Sequence, residues 1–175
     1  LAGLARVAEL PGAEAAAPDI VAPVLEEAGK FAREVLAPLN APGDRAGSRL
    51  ENGIVRTPAG FQDAYRRFVA GGWNAVPFEP EFGGQGVPWL VATAVQEMWQ
   101  SANLSFGLCP LLTQATVELL QAHGSPEQKR RYLARLVAGV WTGSMNLTES
   151  QAGSDVGAVR TRALAANGQW RITGQ

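Results

Sequence analysis

The sequence holds one cysteine, Cys109, and one histidine, His123, among 175 residues. A lone thiol cannot close an internal disulfide, and a lone imidazole cannot build a multi-histidine metal site. A secreted disulfide scaffold and a zinc module are therefore excluded. Excess charge is missing as well: 15 basic residues face 16 acidic ones, for a net charge of −1, and no global electrostatic pull toward nucleic acid or anionic membrane remains. No stretch reaches the roughly 20 uninterrupted apolar residues of a membrane span. The N-terminal Leu1-Ala2-Gly3-Leu4-Ala5-Arg6 has no basic region followed by an apolar run, so a cytoplasmic protein is expected. With 46% hydrophobic residues the chain is too apolar to be disordered, and its length suits one ordinary domain or a small pair. It begins at Leu1 without methionine and stops at Gln175 just after a strand-like run, so a piece of a longer chain is expected.

What is present reads first as helices. Residues 1–18, rich in Ala, Pro and Gly, predict a loosely ordered lead-in with at most one short helical turn. Val21, Leu25, Ala28, Phe31, Ala32, Val35, Leu36 and Leu39 form an i, i+3/i+4 stripe, with Pro23 in the first turn of that helix and Pro38 at its end. Residues 40–56 read as a polar loop. Thr57-Pro58 reads as a cap and first helical residue, Phe61, Tyr65, Phe68 and Val69 as an apolar face, and Gly71-Gly72 as the stop. Residues 76–86 are too rich in Gly and Pro for regular structure and predict a turn-rich loop, a common place for functional contacts. Pro88 opens a third helix through Val91, Val95, Met98 and Trp99. Pro110 opens a fourth, with Leu112, Ala115, Leu119 and Leu120 inward and Gly124 just past its end. Ser125-Pro126-Glu127-Gln128 predicts a capping box that launches a fifth, with Tyr132, Leu133, Leu136 and Val137 inward.

The period then changes. Residues 141–147 read as a short strand, and residues 160–166 and 169–173 as two strands across an Asn167-Gly168 turn. Helices first and strands last define an α+β chain. The domains expected are an all-helical one over 1–139 and the start of a β-domain over 140–175. Cys109 reads as an ordinary buried thiol, His123 as a helix-end residue, Arg130, Arg131 and Arg135 as a solvated face, and the five tryptophans as core or interface residues.

Chemistry concentrates in residues 145–155, where Met-Asn-Leu-Thr-Glu-Ser-Gln-Ala-Gly-Ser-Asp turns after the strand-like run. Thr148 and the backbone N–H groups around Gly153 and Ser154 are donors for electronegative ligand atoms, and Gly153 permits close approach. That donor set suits a phosphate or the pyrimidine edge of a flavin. Spacing alone equally allows a strand-ending loop in which Thr148, Ser154 and Asp155 bond to their own backbone.

The same residues, Met145-x-Leu-Thr-Glu-x-x-Ala-Gly-Ser-Asp155 with Thr161-x-Ala163 after them, resemble the flavin-binding signature of the acyl-CoA dehydrogenase family. Gly72-Trp73 with residues 80–86, His123-Gly124-Ser125 with Glu127-Gln128-Lys129, and Trp170-Arg171-Ile172 with Gly174 resemble further segments of that family in order. The likeness covers roughly residues 20–175. Phe106 to Pro110 and Trp141 to Thr148 look most like the larger-subunit branch that includes the 3-methylmercaptopropionyl-CoA dehydrogenases. The resemblance implies a helical bundle followed by the first strands of a β-barrel-like middle domain. It implies FAD bound by Met145, Leu147 and Thr148 at the isoalloxazine and by Gly153 and Ser154 at the ribityl-pyrophosphate, with Ser154 also near the acyl-CoA substrate. Leu108 and Leu112 would border the acyl cavity.

The implied reaction is α,β-dehydrogenation of an acyl thioester in fatty acid metabolism. A glutamate outside this chain would take the α-proton, and hydride would pass to flavin N5, with electrons going on to an electron-transferring flavoprotein. No catalytic residue is expected within this chain, which should be inactive alone; the full-length protein would be a homo-oligomer. Glu149 is expected to hold the turn by hydrogen bonding. The family usually has proline where this chain has Ser150, which loosens the turn without removing a donor. Two rival readings are a flavin-binding relative with a nucleic-acid or assembly role and a plain helical interaction module.

Overall fold

The computed structural model describes residues 3–174; Leu1, Ala2 and Gln175, the end residues from which a longer chain was expected, lie outside them. The described chain divides into two compact units, residues 1–144 and 145–175.

The helical unit begins with α1 (Leu4–Ala8) and a 3₁₀ turn at Glu14–Ala16, more order than composition predicts. A rod follows, made of α2 (Pro18–Phe31), a π-helical turn at Ala32–Leu36 and α3 (Ala37–Ala46). Pro18 takes the first helical position, so Pro23 lies inside the helix rather than in its first turn. Pro38 does not end the rod. Proline lacks the N–H that would bond four residues back and its ring crowds that carbonyl. The wider turn just before it, with Ala37 N–H donating to the Ala32 carbonyl, accommodates the misfit.

The predicted polar loop 40–56 is instead the end of α3 and a hairpin, β1 (Arg49–Glu51) paired antiparallel with β2 (Ile54–Arg56). Its turn residues Asn52 and Gly53 both have positive φ, the requirement of a two-residue hairpin turn. Helix α4 (Phe61–Ala70) is capped at Gly60, so Thr57-Pro58 precedes the helix without starting it. Residues 76–87 close on themselves: Gln85 N–H bonds to the Ala75 carbonyl, Gly86 N–H to Phe78 and Val87 N–H to Val76. Val76, Phe78 and Val87 are buried, so this loop is a packed plug. A Cβ on Gly84 would strike the Phe78 carbonyl, which is why glycine stands there.

Helix α5 (Trp89–Ala102) is followed by α6 (Leu104–His123), which starts six residues before Pro110 and carries that proline inside. Asn103 joins the two helices: its side chain accepts from Phe106 N–H at 3.0 Å and donates to the Leu36 carbonyl in the rod at 3.2 Å. The inward face of α6 is Phe106, Pro110, Thr113, Gln114 and Val117, and the predicted Ala115 and Leu119 face solvent. Leucines surround this helix, so apolar pattern could not select a face. Two polar residues go inward because partners await them: Gln96 donates to Gln114 at 2.7 Å, and Thr113 donates to the Cys109 carbonyl at 3.0 Å. Gly124 keeps a negative φ and caps α6 without a left-handed turn. Helix α7 (Pro126–Val137) has the predicted capping box in full, and Leu133, Leu136 and Val137 are buried. Asn74 donates to the Leu136 and Val137 carbonyls, and Tyr65 to that of Gly139, which satisfies groups left open at the helix end.

The core of this unit gathers Phe31 and Leu36 of the rod, Phe68 of α4, Val95 and Trp99 of α5 and Phe106 of α6. Phe68 lies edge-on to Trp99 and Phe106, with centroids 5.2 and 5.7 Å apart. Trp99 is buried in it, whereas Trp89, Trp141 and Trp170 are exposed. Arg130, Arg131 and Arg135 are exposed on α7, with Arg135 stacked over Trp141 at 4.6 Å.

The second unit holds a loop, a 3₁₀ turn at Val156–Ala158, and β3 (Arg162–Ala166) paired with β4 (Gln169–Thr173) across Asn167-Gly168. Residues 141–147 form no strand. A strand needs a ladder partner for its N–H and C=O groups, and none lies beside them among the described residues. The fold is α+β, with no closed barrel among the described residues.

Candidate functional site

The loop of residues 145–161 is organised by one buried carboxylate. Glu149 is 8% exposed, and its backbone forms a two-way bridge with Ala152. Arg160 N–H donates to its Oε2 at 2.9 Å and Thr161 N–H to its Oε1 at 2.8 Å, with the Gln151 amide donating as well. Donation from the Thr161 hydroxyl, then from these backbone groups, holds the Glu149 pKa down at about 2. Glu149 thus ties the start of the loop to the residues that lead into β3, as its place in the motif predicts. Asp155 caps the following 3₁₀ turn by accepting from Gly157 N–H at 3.1 Å.

The remaining motif residues face outward. Met145 is 64% and Leu147 50% exposed, two apolar side chains side by side in sequence register with nothing of their own unit to cover them. Thr148, Gly153 and Ser154 are exposed, and neither hydroxyl makes a hydrogen bond among the described residues. A Cβ at Gly153 would meet nothing within 4 Å, so the backbone there lies open to a ligand. Of the self-bonded alternative, only Asp155 behaves as that reading requires. Outward apolar groups, uncommitted hydroxyls and open backbone fit a flat, partly apolar ligand with electronegative edges, as a flavin is.

In the helical unit, Cys109 is exposed, not buried. It lines a cleft with Tyr65, Phe61 and Phe106, a feature invisible in sequence because its walls come from three separate helices. Leu108 is exposed and Leu112 half-buried on α6. No cluster of three metal-ligating side chains occurs among the described residues, and no described helix is long and apolar enough to cross a membrane.

The chain thus combines a packed helical unit with a small β unit whose loop is braced by Glu149 and faces outward. The family description acyl-CoA dehydrogenase, N-terminal domain, matches residues 22–140. The chain belongs to the acyl-CoA dehydrogenase family. It is 48% identical over 151 residues to the 3-methylmercaptopropionyl-CoA dehydrogenase of Ruegeria pomeroyi, covering 86% of this chain and 26% of that protein. It is 32% identical over 155 residues to a butyryl-CoA dehydrogenase of Syntrophomonas wolfei, covering 83% and 25%. The chain therefore spans about a quarter of the length of these relatives. The solved structure of butyryl-CoA dehydrogenase from Megasphaera elsdenii shares the fold, with a TM-score of 0.73 at 22% identity over 89% of this chain and 39% of that one.

Proposed function

We propose that this chain is the N-terminal part of an FAD-dependent acyl-CoA dehydrogenase, with a helical domain over residues 1–139 and the opening of the middle β-domain over 140–175. The reading is carried by one observation: a loop braced by Glu149 holds Met145, Leu147, Thr148, Gly153 and Ser154 outward, uncommitted to the fold. Met145, Leu147 and Thr148 would hold the isoalloxazine, and Gly153 and Ser154 the ribityl-pyrophosphate. Ser154 would also reach the acyl-CoA, and Leu108 and Leu112 would border its acyl chain. FAD, when bound, supplies the acceptor for the hydride leaving the β-carbon.

The substrate class is a short acyl-CoA thioester, with 3-methylmercaptopropionyl-CoA the first to try, given the 48% identity to the Ruegeria enzyme. The electron acceptor would be an electron-transferring flavoprotein, and the full-length protein a homo-oligomer. Glu149 is a brace and not the base: a carboxylate held ionised by several donors has little affinity for a proton. The α-proton is left to a glutamate outside residues 1–175, and this chain alone should show no turnover.

Titration of the full-length protein that contains this chain with FAD, followed by fluorescence anisotropy, tests the reading. Gly153→Val should leave the melting curve unchanged, since its side chain enters open space, and should weaken FAD binding at least tenfold. Thr148→Val should cost several-fold, as loss of one hydrogen bond worth about 1 kcal/mol predicts. Equal affinity in wild type and Gly153→Val, or no FAD binding at all, would overturn the assignment.

A further inference from the structure

A cleft of about 630 Å³ opens in the helical unit between the end of α3, the start of α4 and the start of α6. Its size falls within the roughly 300–1,000 Å³ of small-molecule sites. Phe61, Tyr65 and Phe106 wall it, with Cys109 beside them. Tyr65 has its hydroxyl committed to the Gly139 carbonyl at 2.8 Å, so it offers no free donor from that group. Burial pushes the Tyr65 pKa up to about 12, and partial desolvation against the cleft wall raises that of Cys109, so both are neutral at pH 7. The charged lining residues are one acid, Asp44, and one base, Arg66, and Arg66 is already paired with Asp63 at 3.1 Å. Nothing here selects an ion.

The hairpin β1–β2 stands on the rim. Ser48, immediately before β1, and Thr57, immediately after β2, both line the cleft. The hairpin's feet are flanked by Gly47 and Gly60, with φ of 63° and 87°. A two-stranded hairpin is marginal in water without a surface to pack on, yet Leu50, Ile54 and Val55 are all exposed and the hairpin pairs with no third strand among the described residues.

We infer that the cleft binds a neutral, predominantly apolar small molecule, with the β1–β2 hairpin as its flap. Aromatic walls supply the apolar contact, and the hairpin's cross-strand pair Leu50 and Val55, which share one face, gains a surface to cover when the cleft is filled. Every lining residue belongs to the helical unit, so the inference does not depend on the flavin assignment.

The probe is N-phenyl-1-naphthylamine, a neutral fluorophore that brightens in apolar sites. Titrated against the chain, it should give a saturable one-to-one rise. At saturation it should slow alkylation of Cys109 by iodoacetamide at least fivefold, a rate read from a single thiol because the chain has no other. Ser105→Trp, which fills the cleft from an exposed position, should abolish both effects, whereas Leu119→Ala should change neither. A double Leu50→Ser, Val55→Ser variant should weaken the probe at least threefold, and unchanged affinity there would overturn the flap. No saturable rise, a rise that leaves Cys109 reactivity unaltered, or binding that survives folded Ser105→Trp would overturn the site. If Ser105→Trp does not fold, protection of Cys109 in the unaltered chain decides.

Discussion

Glu149 illustrates how a single side chain can determine a loop. Its carboxylate gathers donors from residues 151, 160 and 161, and it accepts from all of them only while ionised, because protonation turns one of its two oxygens into a donor. The pKa is lowered in the folded chain from an ordinary 4.5 to about 2. A depressed carboxylate contributes stability that is fully present above its unfolded pKa and is lost as pH falls through its folded one. The loop should therefore hold from neutrality to about pH 4.5 and loosen between there and pH 2. The protection factors of the Arg160 and Thr161 amides, measured by NMR hydrogen exchange and corrected for the intrinsic rate at each pH, should fall across that window, while those of α5 hold. Glu149 was legible in the motif because the sequence already placed an acid inside a turn of donors. Cys109 was not: sequence sees a small apolar residue before a proline, and only the packing of α3, α4 and α6 puts it on a cleft wall.

At the scale of elements, the capping box and the Asn-Gly turn were read well and the proline signals poorly. The capping box at Ser125 and Gln128 is local chemistry, complete within four residues, and the structure has both of its bonds, at 3.2 and 2.8 Å. Ser125→Ala should cost about 1 kcal/mol of stability by thermal melting, the usual loss at a helix N-cap. The Asn167-Gly168 turn was equally legible. The matching Asn52-Gly53 signal lay in the sequence too, but the flanking segments are three residues long and carry little strand pattern. Pro38 and Pro110 misled because proline reports only a lost N–H. The rod absorbs that loss in a π-helical turn, and α6 carries Pro110 in its interior.

At the scale of the whole molecule, the helical unit is centred on a core whose buried aromatic rings, Phe31, Phe68, Trp99 and Phe106, come from four segments far apart in sequence. Phe68 is fully buried at its centre, and Phe68→Ala should cost about 3–5 kcal/mol, measured by urea unfolding. That loss is a large share of the stability of an ordinary domain. By itself the sequence determined the α+β order of elements, the helical segments of the first unit, the capping box of α7, the β3–β4 hairpin and the motif of residues 145–155, because each is written in a pattern of nearby residues. Tertiary structure decided which face of α6 turns inward, that residues 76–87 pack as a plug, and that three helices leave a cleft beneath a hairpin. Those outcomes depend on which distant groups offer a partner or a surface, and no local pattern carries that information.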